Sequence, residues 1–598
     1  MSPGPLVRIS RIQIVNFANF ANLDIETSES IVVVGENKVG KSNFVLALRL
    51  LLDPTLSERD RRLGLEHFWD GLDENKIGAT VEISIDLTDF TDDPRLMAHL
   101  NDCLISPGPP MVARLTYRFR PKPELEGDPE TLADYEYIIF GGNDPDVGVA
   151  PSMRRMLPVD VLEALRDSEK DLANWRRSPL RPLIEELMNE LDEDDREQME
   201  AHINAAQEAL SSREEVSETG ERITNRLIEI VGKQHATDVS LGIAPTRIDA
   251  LLRGLRLLID DGVRGVGDAS LGTANLIFLA LKSLELDRLV EERERDHTFL
   301  VVEEPEAHLH PHVQRLVYRY FLGGRQDLEE NALTTILTTH SPHIASVSPI
   351  RSIVLLRHDL AAKATKAVST AKAPLTAVEE ADLQRYIDVT RGELFFARGV
   401  ILVEGDAEQF LVPAFAEALA IPLDVLGISV CSVGGTNFTP YVKLLGPSGL
   451  SIPFVVLTDL DPNGAHPPRA RGRVKTLLDI IDPEYDYSGG TADDMFEWGR
   501  EQGIFVNGST LEVELFGSGL EEEIQTALEA ELSMSEATLT ALQEWVDDPD
   551  QVDADALLKL IERVGKGRFA QRLAAEVSED NCPDYIRRGL EQMRDAVT

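Results

Sequence analysis

Two groups of residues in this chain have the types and spacing that phosphate chemistry requires. Residues Gly35 to Ser42 read GENKVGKS, the pattern G-x-x-x-x-G-K-[ST], directly after the apolar run 31–34. A buried strand feeding a glycine-rich turn aims backbone N–H groups at a phosphate, and a helix starting at Ser42 adds its positive end. Gly35, Asn37 and Gly40 would shape the cradle and Asn43 would complete the nucleotide contacts. Lys41 would reach the terminal phosphates of ATP, and the Ser42 hydroxyl would ligate Mg²⁺. With glycine at roughly 7% of residues, chance yields this pattern in only about a few per cent of chains this long.

The second group is acidic. LVEGDAEQFLVP (402–413) puts Glu404 at the end of an apolar strand, then Gly405, then a helix carrying Glu408. VVLTDLDPNG (455–464) puts Asp459 and Asp461 at the end of another. Strand termini of an open α/β sheet converge on one crevice, so these four acids can meet. Such a cluster repels itself until divalent cations relieve it, and hard oxygen ligands suit Mg²⁺ or Mn²⁺. Two weaker companions follow. NGSTLEVEL (507–515) offers Ser509, Thr510 and Glu512, and VGKGRFAQRLA (564–574) offers Lys566. A lysine there would neutralise the charge that develops in two-metal phosphodiester hydrolysis.

The phosphate loop has its own companions. In FLVVEEPEAHLHP (299–311) an apolar strand ends in two carboxylates. Glu303 would hold the metal shell and Glu304 would polarise the attacking water. His340, in LTTHSP (337–342), fits a histidine that contacts the γ-phosphate, and DASLGTAN (268–275) keeps Ser270 and Gly272 of a signature loop. Together these resemble the ABC ATPases of the SMC and recombination-repair branch, which close two heads around two ATP molecules. Two departures stand out: Glu303 replaces the usual Asp, and no glutamine lies between Gln13 and Gln198 to serve a Q-loop. Asp70 is a candidate substitute. His308 and His310 read as part of a dimer-contacting loop rather than as metal ligands.

The acidic pattern, strand–EG–helix and then strand–DxD, resembles the Toprim domain of topoisomerases, primases and some nucleases. No stretch remains for a tyrosine-bearing cleavage domain, and three scattered cysteines cannot build a primase zinc ribbon. A nuclease needs only metals, water and a charge stabiliser.

The elements that must position these residues follow from periodicity. Alternating runs at 7–16, 79–87 and 112–120 read as an antiparallel sheet. Residues 158–232 read as a charged helical insertion, with 186–210 an amphipathic helix or the arm of a hairpin. Strands return at 255–259, 299–302, 333–338 and 353–356. Residues 358–378 read as a connector. Then come strand 399–403, helix 407–420, strand 427–432, helix 437–446 and strand 453–458. The expected class is α/β, with boundaries at 1–157 and 233–357 (two ATPase halves), 158–232 (insertion), 358–395 (connector) and 396–598 (Toprim).

At 598 residues the chain has room for about three or four domains. No apolar stretch approaches the ~18 residues of a membrane span, and the N-terminus lacks a signal-peptide layout. The three cysteines lack C-x-x-C spacing, so neither a disulfide framework nor a zinc site is expected, and the cytoplasm is the expected compartment. A net charge of −45 opposes nucleic-acid binding in bulk. Locally basic runs at 469–475 and 563–572 remain as phosphate contacts.

An SMC-like ATPase split by a helical insertion, followed by RGELFFARGVILVEG (391–405) and a Toprim, resembles the OLD (overcoming lysogenization defect) nuclease family over essentially the whole chain. The resemblance implies ATPase heads, a dimer or larger homo-oligomer formed through the insertion, metal-dependent nicking or cleavage of DNA, and a role against phage. It implies a nuclease site of Glu404, Glu408, Asp459, Asp461, Glu512 and Lys566. A helicase or another protein of the same defence operon is the further partner it allows. RNA as substrate, or an SMC-like clamp with a non-catalytic Toprim, stays open at this stage.

Overall fold

The computed structural model describes residues 7–72, 76–163, 178–211, 213–235, 237–239, 255, 257–292, 294–322, 333–359, 361–387, 391–460 and 469–598. Asp461 lies outside them, as do parts of the expected insertion. The chain divides into two compact units: Met1–Leu162 with Arg295–Thr598, and Glu163–Glu294.

In the first unit the N-terminal alternating runs form a six-stranded sheet. Phe20–Glu26, Arg8–Phe17, Val81–Thr88, Val112–Pro121 and Leu104–Ser106 lie side by side, and Tyr135–Gly141 also pairs with Val112–Pro121. All of these pairings are antiparallel. A second six-stranded sheet runs Ala364–Ser369, Ile353–Asp359, Ile31–Gly35, Leu333–Thr339, Thr298–Glu303, Val159–Leu162. Its strands are parallel except at the Ala364–Ser369 edge. The helix Lys41–Leu52 packs against strands of both sheets and buries Phe44, Leu48 and Leu51. It is apolar nearly all round, as a helix between two sheets must be.

Two expectations change here. The insertion expected from 158 begins with a strand, Val159–Leu162, paired in parallel with Thr298–Glu303. The connector expected at 358–395 contains the strand Ala364–Ser369, paired antiparallel to Ile353–Asp359, and the helix Ala377–Tyr386. Both strands are edges of the sheet. An edge strand has one neighbour and tolerates polar residues, so its apolar signal is weak.

The C-terminal part of the same unit is a four-stranded parallel sheet ordered Ile428–Ser432, Gly399–Val403, Phe454–Thr458, Ile504–Val506. The central strand Gly399–Val403 is buried throughout. The long helix Asp406–Ala418 covers one face with Leu411, Val412 and Phe415, joined there by Phe569, Ile586 and Leu590 from C-terminal helices. The α/β class and the order of these strands and helices are those expected.

The second unit contains the helices Leu180–Glu190, Glu193–Ser211, Glu214–Val231 and Leu271–Glu291. The stretch 186–210, read as an amphipathic helix or the arm of a hairpin, breaks at Leu191 and Asp192. The Asp192 carboxylate accepts the Asp195 N–H at 2.8 Å and starts a new helix, the capping chemistry that aspartate favours. The expected strand at 255–259 is reduced to Leu258–Ile259, in a two-stranded ribbon. Among the described residues no helix is long and apolar enough to cross a membrane.

Candidate functional site

The phosphate loop is held from behind by side chains. Gly40 takes φ 99°, a left-handed conformation that side chains disfavour, and a Cβ there would lie 2.1 Å from Asn19 Nδ2. Asn19 Nδ2 donates to the Val39 carbonyl at 2.7 Å, and Thr365 Oγ1 donates to the same carbonyl at 2.8 Å. Asn43, expected among the nucleotide contacts, donates to Asn19 Oδ1 at 2.7 Å and so braces the loop. Asn37 and Ser42 are exposed at its mouth.

Lys41 is buried at this loop. Its ammonium donates to the carbonyls of Gly35 at 3.0 Å and Glu36 at 3.1 Å, and stands 3.1 Å from His340 Nδ1. Burial lowers its pKa, against the pull of Glu304 and Glu306. His340 Nε2 in turn lies 3.1 Å from Glu304 Oε2. Three residues from distant segments thus form one chain: Lys41, His340, Glu304. Glu304 adopts φ 42°, a region costly for a residue with a side chain and typical of functional sites. Glu303 closes its strand opposite Thr338.

Glu306, missed in the sequence, organises this end of the sheet. It accepts Tyr318 Oη–H at 2.7 Å on one oxygen, and Thr339 Oγ1–H at 2.8 Å and the His340 N–H at 3.1 Å on the other. Its position two residues after Glu304 was the available signal. Asp70, the candidate Q-loop substitute, is exposed and pairs with Lys76 at 2.8 Å. His308 and His310 are exposed; the His310 ring stacks on His312. Ser270 and Gly272 belong to the second unit, where Ser270 Oγ accepts the Thr273 N–H at 3.2 Å as the helix Leu271–Glu291 begins.

The acidic site lies at the carboxyl ends of the C-terminal parallel strands. Glu404 follows Gly399–Val403, Asp459 follows Phe454–Thr458, and Asn507 follows Ile504–Val506. Glu408 projects from the first turn of its helix and is buried, as is Glu512 in the helix Leu511–Phe516. Burial pushes the Asp459 carboxyl up to about 8, with Glu404, Glu408 and Glu512 adding to it. Burial likewise pushes Glu408 up to about 7, with Glu404 and Glu512 adding. Four carboxylates therefore sense one another, the field that cations relieve.

Two cationic side chains enter the cluster. Lys566 Nζ lies 2.8 Å from Glu512 Oε1. Burial works against this ammonium, but Glu512, Asp459 and Glu408 outweigh it and hold its pKa above the ordinary lysine value. Arg473 Nη1 donates to Glu404 Oε1 at 3.2 Å and Nη2 to the Asp459 carbonyl at 2.6 Å. The 469–475 run, expected to meet substrate phosphates, is thus largely engaged within the fold: Arg471 donates to the Gly490 carbonyl and Lys475 pairs with Asp479. In the second basic run, Arg568 and Arg572 pair with Glu531. A run of charge in a sequence says nothing of which members turn inward.

The donor set suits a hard divalent cation. Glu512 Oε2 and Thr510 Oγ1 are buried and have no hydrogen-bond partner among the described residues. Buried polar atoms of this kind call for an ion or water. Among the described residues no three acidic, histidine or cysteine groups already stand close enough to ligate one ion. Ser509 contributes its backbone carbonyl, which accepts the Leu460 N–H at 3.0 Å. Asn507 and Tyr585 were missed. The Tyr585 phenol is buried beside Asn507, and burial, Asp459 and Glu408 raise its pKa well above the ordinary value.

Comparison with known proteins gives two family matches. Residues 161–345 match the AAA ATPase domain, and residues 395–461 match the TOPRIM domain of overcoming lysogenization defect protein-like proteins. The chain is 23% identical over 465 residues to the OLD nuclease of Thermus scotoductus, spanning 76% of this chain and 82% of the relative. It is 22% identical over 490 residues to endonuclease GajA of Bacillus cereus, spanning 76% and 75%. Against the C-terminal region of the Xanthomonas campestris pv. campestris OLD protein, a solved structure, identity is 59%. That match covers 34% of this chain and 96% of that one, with a TM-score of 0.33.

Proposed function

Since the chain belongs to the overcoming lysogenization defect family, an ATPase fused to a Toprim domain, we propose that it is an ATP-hydrolysing endonuclease that nicks or cleaves DNA with divalent metal. The observation that carries this reading is the mutual coupling of Glu404, Glu408, Asp459 and Glu512 at the strand ends, with Lys566 reaching into them. These acids, together with Asp461, would hold Mg²⁺ or Mn²⁺, which when bound supplies water activation and Lewis-acid stabilisation of the phosphodiester in a two-metal hydrolysis. Lys566 is half exposed, so it can leave Glu512 for the negative charge that grows on the substrate phosphate.

At the other site Lys41 binds the β- and γ-phosphates of ATP, Ser42 and Glu303 hold its Mg²⁺, His340 senses the γ-phosphate and Glu304 orients the water. Ser270 and Gly272 would cap the nucleotide of a second copy. The helices of 180–231 supply the homo-oligomer contact, and they carry exposed apolar side chains at Leu187, Met199 and Ile230. The biological setting that fits the family is defence against phage, with DNA as the target.

The test is incubation of the purified protein with supercoiled plasmid and, separately, with total tRNA, in Mg²⁺ or Mn²⁺, with and without ATP. Nicked or linear plasmid and intact tRNA are expected. Cleaved tRNA beside intact plasmid would move the same chemistry to RNA. Intact substrates in every mixture would leave an ATPase clamp.

A further inference from the structure

We propose that Arg473 is a positioning residue of the nuclease centre: it fixes Glu404 and the Asp459 main chain so that each acid presents a single oxygen to a divalent cation. This rests on the metal-dependent nuclease reading above and names what orients its ligands.

The hydrogen bonds around Glu404 are one-sided. Oε1 accepts from the Thr458 hydroxyl, from the Asp459 N–H at 2.9 Å and from Arg473 Nη1 at 3.2 Å. Three donors fill that oxygen, and Oε2 has no hydrogen bond among the described residues. Asp459 repeats the pattern. Its Oδ1 accepts from Asn507 Nδ2 at 2.6 Å, while Asn507 Oδ1 accepts the Leu460 N–H at 2.9 Å. Glu512 does so as well, with Lys566 on Oε1 and Oε2 buried without a hydrogen bond. Among the described residues, Glu404, Asp459 and Glu512 each have one oxygen committed to the protein and one uncommitted.

Arg473 is the residue that ties two of these ligand segments together. One Nη holds the side chain of Glu404, the other the backbone of Asp459, which follows the neighbouring strand. Only a planar fork reaches two acceptors in fixed geometry; an ammonium is a point charge and cannot hold both with the same precision. The Arg473 side chain is 10% exposed and that of Glu404 16%. A guanidinium sunk this deeply and already bonded on both Nη atoms is poorly placed to bind a phosphate of passing DNA. Groups that orient metal ligands in this way typically alter metal affinity about 10–100-fold when lost.

The experiment is a Mn²⁺ titration of the full-chain protein, following free Mn²⁺ by electron paramagnetic resonance, with wild type, Arg473→Gln, Arg473→Lys, Glu404→Ala and the exposed control Arg500→Ala. Plasmid binding against salt is measured on the same preparations, and thermal melting confirms folding. Arg473→Gln is expected to weaken Mn²⁺ about 10–100-fold with the DNA salt slope unchanged. Arg473→Lys keeps the charge and the fold but loses the fork, so most of that deficit should remain. Unaltered Mn²⁺ affinity in both Arg473 variants overturns the proposal. If instead DNA affinity falls and the salt slope drops by about one, Arg473 is a phosphate contact. Equal Mn²⁺ binding by wild type and Glu404→Ala would remove the metal centre itself, a failure of the underlying reading and distinguishable from the loss of Arg473's role.

Discussion

Glu36, inside the phosphate loop, faces Arg398, the residue before the first strand of the Toprim sheet, with Oε1 and Nε 3.6 Å apart. A second tie runs alongside: Arg357, at the end of the strand next to the phosphate loop, donates to the Ala397 carbonyl. The phosphate loop therefore abuts the amino end of the Toprim sheet, one strand length from the acids at its carboxyl end. Glu36 and Arg398 are each more than half exposed, and such a pair contributes about 0–1 kcal/mol. Glu36→Gln should change the ratio of nicking rates with and without ATP by less than about fivefold. Arg357→Ala, which also strips the buried Ala397 carbonyl of its donor, should change it more. The same ratio in both variants as in wild type would remove this boundary from the coupling.

The ATP site should fail in two distinguishable ways. Lys41→Ala removes the charge beside His340 and the loop carbonyls and should abolish nucleotide binding. Glu304→Gln keeps shape and loses the base, so ATP should bind and hydrolysis should fall at least about 100-fold. Equilibrium binding of a fluorescent ATP analogue beside phosphate release separates the two. Parental hydrolysis by Glu304→Gln would reassign the base.

Nicking should be separable from ATP hydrolysis. Glu404→Ala and Asp459→Ala should abolish nicking, and Lys566→Ala should lower it about 10²–10³-fold, by analogy with the loss of one transition-state donor. ATP hydrolysis should persist in all three. Mg²⁺ should raise the melting temperature of the wild type and not that of Asp459→Ala, and chelation should reverse the gain. Normal nicking by Asp459→Ala would sink the two-metal assignment.

His297, which precedes the Thr298–Glu303 strand, sets an acid limit on the ATPase sheet. It is fully buried, its Nε2 is 2.9 Å from Thr334 Oγ1, and burial lowers its pKa from 6.5 to about 3. A histidine whose folded pKa is depressed is protonated first in the unfolded chain. Its contribution is present in full above 6.5 and is lost as pH falls toward about 3, at most some 4–5 kcal/mol. His297→Gln should flatten the fall in melting temperature between about pH 6.5 and pH 4. The same slope in both proteins would place the acid sensitivity elsewhere.

The legible parts of this molecule were those where one local signal decides. Ile31–Gly35 and Gly399–Val403 are unbroken apolar runs, so their burial, and the place of the residues that follow them, could be read directly. Val159–Leu162 and Ala364–Ser369 could not, because their strand character comes from a neighbour far away in sequence. Glu404 and Asp459 could be placed because they follow apolar strands, and Glu408 because it begins the helix after one. Arg473 and Asn507 were not, because their roles exist only across pairings of distant segments. Arg473 sat in a basic run and therefore read as a contact for substrate phosphates, whereas the fold turns it onto Glu404.

The half-committed carboxylates set a preference among ions. Calcium takes about six to eight oxygens and often both atoms of a carboxylate, whereas magnesium takes about six at short range and keeps several waters. With Arg473 and Asn507 each occupying one oxygen of an acid, bidentate coordination by Glu404 and Asp459 would be disfavoured. A crevice built this way would favour a small ion that brings its own waters over one that needs both oxygens of each acid.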